Sequence, residues 1–412
     1  MTTAGPTSTA VRPELTPWLR TPPADWMQQP SRLLSAAGLA AVLLGSQTLA
    51  ASTPQASDVR LLLPSEGLLA GVGDGLRRGY GLAMQESAAC GTTPPSLQLG
   101  WLPPGADPRP ALSHAARSAL LVAPPAAPLE PYGELADQQR LTVLLPLQRG
   151  RSLEGLPQLR GADRLWPIVP ARSLEADRLA EALLADGIRR VMVVRDPSAE
   201  SRALSDRFVA SYGNGKGLVI GPSGEPISVD GNDRSAMEQL IGDVDWYRPP
   251  ALVVLTGPGS GLERRVRDTR WPDGVLLAWP FRPDQRQPLA QPQLGIDPLS
   301  RGKGWKAFAQ RFEQRWGYSP GPVESAGYDT GLIAALAAVT SGGQAGWTLA
   351  WFSGKAKPLP LCDALQQRRL GEPVRPLGAS SRMDLSAGVS PTADLRLGRT
   401  AAAATATAQP SP

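Results

Sequence analysis

The sequence predicts an α/β fold with doubly wound parallel sheets, and three observations lead to this prediction. Between Asp58 and Arg399, short apolar segments alternate with amphipathic segments that have the spacing of helices. The apolar segments are rich in Leu and Val on both faces, which is typical of parallel strands covered by helices on both sides. No repeat of short fixed period is present, so the alternation predicts an α/β architecture rather than a repeat protein.

The first part of this pattern predicts three strands and two helices. The strands are expected at 59–64, 117–124 and 141–146. A helix at 75–86 follows the first strand, and a helix at 132–139 follows the second. A turn containing Gly or Pro separates each strand from its helix, as a change of direction requires.

The second part continues the alternation and ends on a strong helix. Residues 174–185 form a predicted helix with Leu174, Leu179 and Leu183 on one face, and Gly187 is placed to end it. This face is expected to pack on the core while the charged face meets solvent. The further strands are expected at 188–196, 250–257 and 274–280, with helices at 200–212, 261–270 and 305–316.

The composition excludes several classes of function. The 412 residues carry a net charge of +5 without a basic block, so nucleic acid is not an expected partner. His114 is the single histidine and Cys90 and Cys362 are the two cysteines, so neither a histidine-rich metal site nor a four-cysteine zinc site can form. No metal or other cofactor is predicted. An enzyme is not expected either, because a serine triad would need His114 and no Gly-x-Ser-x-Gly motif accompanies it.

Residues 31–51 have the layout of a cleavable secretory signal. Arg32 is followed by an apolar run at 33–44 and then by small residues near 48–50. The apolar run is shorter than the roughly 20 residues that span a bilayer. Export is therefore expected, and an uncleaved membrane anchor or a buried helix is the alternative.

The two ends of the chain are expected to lie outside the folded part. Residues 1–50 form an N-terminal extension and the signal; because the stretch before the signal is Pro-rich and polar, Met27 is the expected true start. Residues 400–412 lack apolar periodicity and are expected to be a disordered tail. In an oxidising compartment Cys90 and Cys362 can form a disulfide, and two unpaired buried thiols are the alternative.

Four segments, in order along the chain, contain motifs of one protein family. They span 59–87, 165–213, 308–338 and 383–388. Together they resemble the type I periplasmic solute-binding proteins, and in particular the branched-chain amino-acid (Leu/Ile/Val) receptors of ABC transporters. The matching motif positions are Pro64, Gly67, Gly73, Phe308, Phe312, Gly317, Pro320, Ala326, Tyr328, Asp329, Asp384 and Gly388.

The resemblance implies two α/β lobes joined by three crossing strands, with a ligand cleft between them. It places the crossings near 167–171, 279–283 and 384–389. Hinge closure around the ligand is the implied motion. The implied boundaries are 58–168 plus 281–385 for lobe one and 169–280 plus 386–399 for lobe two.

The same resemblance implies a function. The chain would be a periplasmic substrate-binding protein of an ABC importer, of the amino-acid or amide type, that performs no chemistry. Its partners would be a small-molecule solute and an inner-membrane ABC permease, and it would act as a monomer. A sensor or a regulator of cell-wall synthesis on the same fold is the alternative.

Candidate ligand-binding residues in lobe one follow two of its strands. The loop Ser65, Glu66 and Gly67 lies between a strand and a helix, so its backbone amides can hold a carboxylate unless it is only a turn. The family usually grips a ligand carboxylate with hydroxyl side chains, but Ala126 and Ala127 stand at that place. The loop after the next strand is therefore expected to supply the donors.

That next loop replaces the family's hydroxyls with an amide and two arginines. They are Gln148, Arg149 and Arg151. Arg can bind a carboxylate with two parallel hydrogen bonds, although the same arginines can also simply face water. In lobe two, Glu200 stands at the family's Tyr position. Thr256 opens a loop that contains Gly and Pro between a strand and a helix, and the backbone amides of this loop can face a ligand unless it is only a turn.

A carboxylate that pairs with the ligand's ammonium group is typical of the family, and the resemblance makes Asp273 the candidate for this role. With both signs of charge present, the sequence predicts a ligand that has an anionic group and a cationic or amide group and that is larger than leucine.

Overall fold

The computed structural model describes residues 58–112, 119–150, 153–283, 291–297, 301–341 and 344–401. The predicted signal, His114, Arg151 and the chain beyond residue 401 lie outside these ranges. The architecture consists of two main α/β lobes, as the sequence predicts.

Lobe one is built on five parallel strands in the order β2-β1-β3-β4-β5. The alternating elements that form this sheet and its first helices are β1 (Val59–Pro64), α1 (Leu68–Ala89), β2 (Leu97–Leu102), α2 (Arg109–Leu112), β3 (Leu120–Val122), α3 (Leu129–Gln139), β4 (Thr142–Leu145) and β5 (Leu165–Pro167).

Lobe two contains a sheet in the order β16-β11-β10-β9-β6-β7, with β8 also paired to β6. All its pairs are parallel except that of β16, which runs antiparallel to β11. The elements between the first and second passages of the chain are α4 (Ser173–Ala185), β6 (Arg190–Arg195), α5 (Ala199–Asn214), β7 (Leu218–Val219), β8 (Ile227–Ser228), α6 (Arg234–Tyr247), β9 (Ala251–Leu255), α7 (Gly261–Asp268), β10 (Leu276–Trp279) and β11 (Gln293–Ile296).

The chain then returns to lobe one before its last strand. The elements of this return are α8 (Trp305–Trp316), α9 (Pro322–Ala338), β12 (Thr340–Ser341), β13 (Gln344–Ala345), β14 (Pro358–Leu359), α10 (Leu361–Arg369) and β15 (Arg375–Pro376), and β16 (Leu397–Thr400) closes lobe two.

Two boundary predictions differ from this topology. Residues 293–296, which the predicted boundaries assign to lobe one, pair with β10 in lobe two. The second passage between lobes therefore follows residue 296 instead of lying near 280, because the chain adds one more parallel strand before it leaves the sheet. Thr400 was expected in the tail, yet it pairs with Gln293 at the edge of the same sheet.

Each sheet has an apolar core on both faces, which explains why its strands are apolar on both sides. In lobe one, α1, α8, α9 and α10 cover one face and α3 covers the other. In lobe two, α4 and α5 cover one face while α6 and α7 cover the other. Helices α1 and α9 pack with their backbones in contact, since a Cβ on Gly79 would lie 1.9 Å from the Glu324 carbonyl oxygen.

A disulfide joins Cys90, at the end of α1, to Cys362 in α10. The sequence leaves open whether these two cysteines are bonded or unpaired, and the structure shows the disulfide. The bond ties together residues 272 positions apart and holds α10 against the helical layer of lobe one.

Candidate functional site

The candidate site is a cavity of about 270 Å³ between the two lobes. In a parallel sheet the loops that follow the strands share one edge, and ligands of open α/β sheets bind there. Lobe one contributes the loop after β4, and lobe two contributes the starts of α4 and α5. The last wall, residues 388–392, belongs to the third segment that passes between the lobes.

Four charged side chains, named here the interlobe network, join the lobes at this cavity. Arg149, which follows β4, pairs with Glu175 of α4 at 2.7 Å, between Nη2 and Oε1. Arg149 Nε also donates to the Pro170 carbonyl at 3.0 Å. Arg172 continues the network, with Glu175 at 3.6 Å and Glu200 at 3.5 Å. The charges thus alternate in the order Arg149, Glu175, Arg172 and Glu200, and the Arg149–Glu175 pair is the one that crosses between the lobes.

The two ends of this network are buried to different degrees. The Glu175 side chain is 6% exposed and that of Arg149 is 24% exposed, whereas the Glu200 side chain is 34% exposed. A buried carboxylate needs its partner far more than an exposed one does. Arg149 is therefore held firmly, and Glu200 has more freedom to exchange partners.

Local sequence explains how Glu200 reaches the opposite lobe. Ser198 caps α5 by accepting a hydrogen bond from the Ser201 amide at 3.2 Å, so Glu200 lies in the first helical turn. A Cβ on Gly150 would lie 3.0 Å from Glu200 Oε2. The glycine after Arg149 thus permits this close approach of the two lobes.

Gln148 lies beside the site but is committed to the scaffold. Its side chain is buried, and Nε2 donates to the Pro124 carbonyl at 2.8 Å. This bond joins the loop after β3, which contains Ala126 and Ala127, to the loop after β4. Oε1 is also buried and has no hydrogen-bond partner among the described residues, so it is a spare acceptor.

Thr256 is likewise part of the scaffold. It is fully buried, and its hydroxyl donates to the Asp196 carboxylate. Asp196 also accepts from the Ser201 hydroxyl at 2.9 Å and from the Ser198 amide at 2.8 Å. Although burial acts to raise it, the hydrogen bonds from Ser198, Thr256 and Ser201 hold the pKa of Asp196 below its usual value. This carboxylate therefore joins the loops after β6 and β9.

The structure does not bring the loop Ser65, Glu66 and Gly67 into this cavity. All three residues are exposed, and the Ser65 amide donates to the Leu102 carbonyl at 2.8 Å. That amide is therefore not available to a ligand. Gly67 has φ +68°, a conformation that favours glycine, and it starts α1.

Asp273 lies at the wrong edge of lobe two for the expected role. It is exposed and comes between α7 and β10, so it precedes a strand rather than following one. The returning helix brings the chain back to the amino edge of the sheet, opposite the cavity. Arg151, the remaining predicted residue, lies outside the described residues.

Sequence reasoning missed two members of the site, Arg172 and Glu175. The helix that contains Glu175 was interpreted only as a core-facing helix with a solvated side. The available signal was the pair itself, a cation and an acid three residues apart at the first turn of a helix that follows a crossing segment. Within the described residues, no group of three or more His, Cys, Asp or Glu side chains is placed to hold a metal ion.

Comparison with solved structures identifies the fold. A substrate-binding protein of an ABC transporter from Desulfitobacterium hafniense, solved in complex with Leu, superimposes with a TM-score of 0.58 at 15% identity, over 83% of this chain and 96% of that one. An ABC transporter solute-binding protein from R. palustris, in complex with benzoate, gives 0.53 at 17% identity, over 83% and 92%. This chain has the fold of the type I periplasmic binding proteins.

A third solved structure with the same fold is a putative branched-chain amino acid ABC transporter from Rhodospirillum rubrum. It has a TM-score of 0.56 at 14% identity, over 83% of this chain and 96% of that one. The resemblance that the sequence motifs imply is thus confirmed at the level of the fold. No protein-family model and no curated protein matches the chain.

Proposed function

We propose that this chain is a periplasmic substrate-binding protein of an ABC importer and that it binds a small solute between its lobes by hinge closure. The supporting observation is the interlobe cavity, whose walls come from both lobes and from a segment that passes between them. At about 270 Å³ it is slightly smaller than the usual range of ligand pockets, roughly 300–1,000 Å³, which favours a small solute.

The charges that line this cavity favour an amino acid or an amide over a simple organic anion. Arg149 and Arg172 line it, but Glu175 and Glu200 already pair with them. A lone carboxylate would have to compete with these partners for a cation. A solute with both an anionic group and a cationic or amide group can instead exchange with both members of a pair, which keeps each buried charge compensated.

The disulfide supports export. Such bonds persist in oxidising compartments and are rare in the cytosol. An exported, two-lobed receptor needs a membrane partner, so the proposal includes an inner-membrane ABC permease that accepts the solute from a monomeric protein. Within the described part of the chain, no helix has the length and apolar character needed to cross a membrane.

A thermal-shift screen tests the proposed ligand class. The purified protein is heated with amino acids, amides, small peptides and benzoate at about 100 times the expected Kd, where one-site binding adds about 2.7 kcal/mol of stability. An amino acid, amide or peptide is expected to raise Tm by several degrees, and benzoate is not. A shift with benzoate alone would contradict the proposed ligand class, and no shift with any compound would contradict a receptor of this class.

A non-transport role on the same fold, as a sensor or a regulator of cell-wall synthesis, is the second candidate. The interlobe network favours it, because the Arg149–Glu175 pair joins the lobes through the protein's own side chains. Association with a permease separates the two candidates. Permease and ATPase genes beside this gene, together with stimulation of ATP hydrolysis by the importer they encode, would support transport, and stable capture of a cell-wall enzyme would support the alternative.

A further inference from the structure

A second cavity, named here the hinge cavity, has a volume of about 440 Å³. It lies where lobe one meets the segments that pass between the lobes. Lys303, just after the second passage, forms one wall, and Arg375 of β15 forms another. Thr392 of the third passage lines both this cavity and the interlobe cavity, so the two are neighbours.

The lining of the hinge cavity contains three cations and two carboxylates. Its charged side chains are Lys303, Arg375, Arg382, Asp384 and Asp394. Both carboxylates accept hydrogen bonds, but only Asp394 has a cationic partner, Arg382. Asp384 accepts hydrogen bonds from the Thr392 amide at 2.8 Å and the Thr392 hydroxyl at 2.6 Å, and Asp394 accepts from Arg382 Nε at 3.1 Å.

Two of the three cations have no acidic partner. Lys303 forms no hydrogen bond or ion pair with any described residue. Arg375 donates to the Gly354 carbonyl, while its Nε is buried and has no partner in the described part of the chain. Because Arg382 pairs with Asp394, the charges left in the lining are Lys303, Arg375 and Asp384, so the cavity has a net positive charge that raises its affinity for anions.

The loop after β15 forms a wall of the cavity and is bonded to the backbone on both sides of Lys303. The Gly302 amide donates to the Ala379 carbonyl and the Gly304 amide to the Gly378 carbonyl, each at 2.8 Å. The loop after β15 is anchored to α9, because the carboxylate of Asp329 accepts the amide of Ala379 at 2.6 Å and the amide of Ser380 at 2.8 Å. Asp329 is completely buried. A preorganised cavity loses less entropy when it binds a ligand than a mobile loop does.

We propose that the hinge cavity is a second ligand site and that it binds a compact dianion, either an inorganic oxyanion or a short dicarboxylate. Arg375 matches the planar geometry of such oxygen pairs, and Lys303 adds a point charge. A dianion presents a negative group to Arg375 and another to Lys303, whereas a monoanion presents only one. The proposal is independent of the solute proposed for the interlobe cavity.

Calorimetric titration of the purified protein tests this site. Sodium sulfate and sodium malonate are the probes, sodium acetate is the monoanion, and sodium chloride keeps the ionic strength constant. Saturable binding is expected with at least one dianion, at least tenfold tighter than with acetate. Binding of sulfate but not of malonate would identify an inorganic oxyanion as the ligand class. Binding of malonate but not of sulfate would identify a dicarboxylate.

Variants locate the bound anion. Lys303→Gln and Arg375→Gln are each expected to weaken dianion binding at least tenfold. Lys306→Gln, an exposed lysine on α8 that does not line the cavity, is the matched control and should change affinity less than twofold. Because Lys303 is exposed, its substitution is expected to leave the fold intact.

Three results would overturn the proposal. The first is the absence of saturable binding by either dianion. The second is wild-type affinity in Lys303→Gln and Arg375→Gln. The third is loss of dianion binding in Arg172→Gln together with retention in Lys303→Gln, which would assign the anion to the interlobe cavity.

Discussion

Lobe one and the boundary between the lobes are held together by different kinds of bond. Within lobe one, a disulfide joins α1 to α10, and the fully buried Asp329 carboxylate binds backbone amides of the loop after β15. Across the boundary, side chains pair with side chains, as Arg149 of lobe one, whose side chain is 24% exposed, does with Glu175 of lobe two. The first set of bonds is covalent or buried, and the second is partly solvated.

This difference indicates which parts of the molecule are fixed and which can move. A buried acceptor that loses its donors has no water to replace them, so such bonds persist as long as the fold does. Partly exposed ion pairs contribute little net stability and exchange easily with water or a ligand. The boundary between lobes therefore has the chemistry that a closing cleft needs, while lobe one has that of a rigid frame.

Loss of the disulfide is expected to have the largest effect. Because the bond closes a very long loop, its removal in Cys362→Ser should lower the free energy of unfolding by about 4 kcal/mol. Urea denaturation with and without a reductant measures this. The Cys90→Ser/Cys362→Ser double variant is the control, since it should not respond to the reductant. Equal stability of the oxidised and reduced protein would show that the disulfide does not stabilise lobe one, and would contradict its role in the rigid frame.

Substitution of the buried carboxylate is expected to come next. Asp329→Asn directs an amide group at backbone N–H donors and should lower the free energy of unfolding by about 3 kcal/mol. Asp163→Asn is the matched control, because that side chain is 79% exposed and its loss should cost less than about 0.5 kcal/mol. Similar urea midpoints for the two variants would contradict the rigid-frame interpretation.

The same carboxylate predicts a dependence of stability on pH. Burial, which outweighs its hydrogen bonds, raises the pKa of Asp329 to about 6, compared with about 3.9 for an unfolded Asp. The folded chain therefore takes up a proton as the pH falls between these values, so this group stabilises the fold increasingly on acidification. Between pH 7.5 and 4.5 the stability of the wild type should rise by about 2 kcal/mol relative to Asp329→Asn. A constant difference across that range would contradict the raised pKa.

The interlobe network is expected to affect binding more than folding. Arg149→Ala removes a cation from the cavity and leaves Glu175 with a weaker partner, so affinity for the amino acid or amide found by screening should fall at least tenfold, about 1.4 kcal/mol. Arg178→Ala is the control, since Arg178 lies on the same helix as Glu175 but pairs with Glu181 outside the cavity. Unchanged affinity in Arg149→Ala would restrict the network to a structural role.

The fold could be predicted from the sequence because the signals that define its strands and helices are local and recur along the chain. The strand Val59–Pro64 and the helix Trp305–Trp316 have the predicted bounds, since periodicity and turn residues define them. The return of residues 293–296 to lobe two was not accessible, because strand pairing depends on distant partners. Asp329 is one of the positions that match the family motifs, and its buried hydrogen bonds to the loop after β15 explain why an Asp is needed there.

The site could be predicted only in part, because its contacts, like strand pairing, depend on residues that are distant in the sequence. Arg149 and Glu200 were predicted and do lie together at the interlobe cavity. Thr256 was predicted from its place after a strand, but its hydroxyl is bonded to Asp196. A hydroxyl that binds a ligand and one that joins two loops look alike in a sequence, because only the neighbouring chain distinguishes them.

The distance between the lobes is the most direct test of the central claim that they close on a solute. Spin labels on Leu68→Cys, whose side chain is 97% exposed, and on exposed Arg264→Cys would report it from the carboxyl edges of the two sheets. Addition of the amino acid or amide that raises Tm most should shorten this distance in the wild-type background and shorten it less in Arg149→Ala. Binding of that solute with no change in the distance would contradict hinge closure.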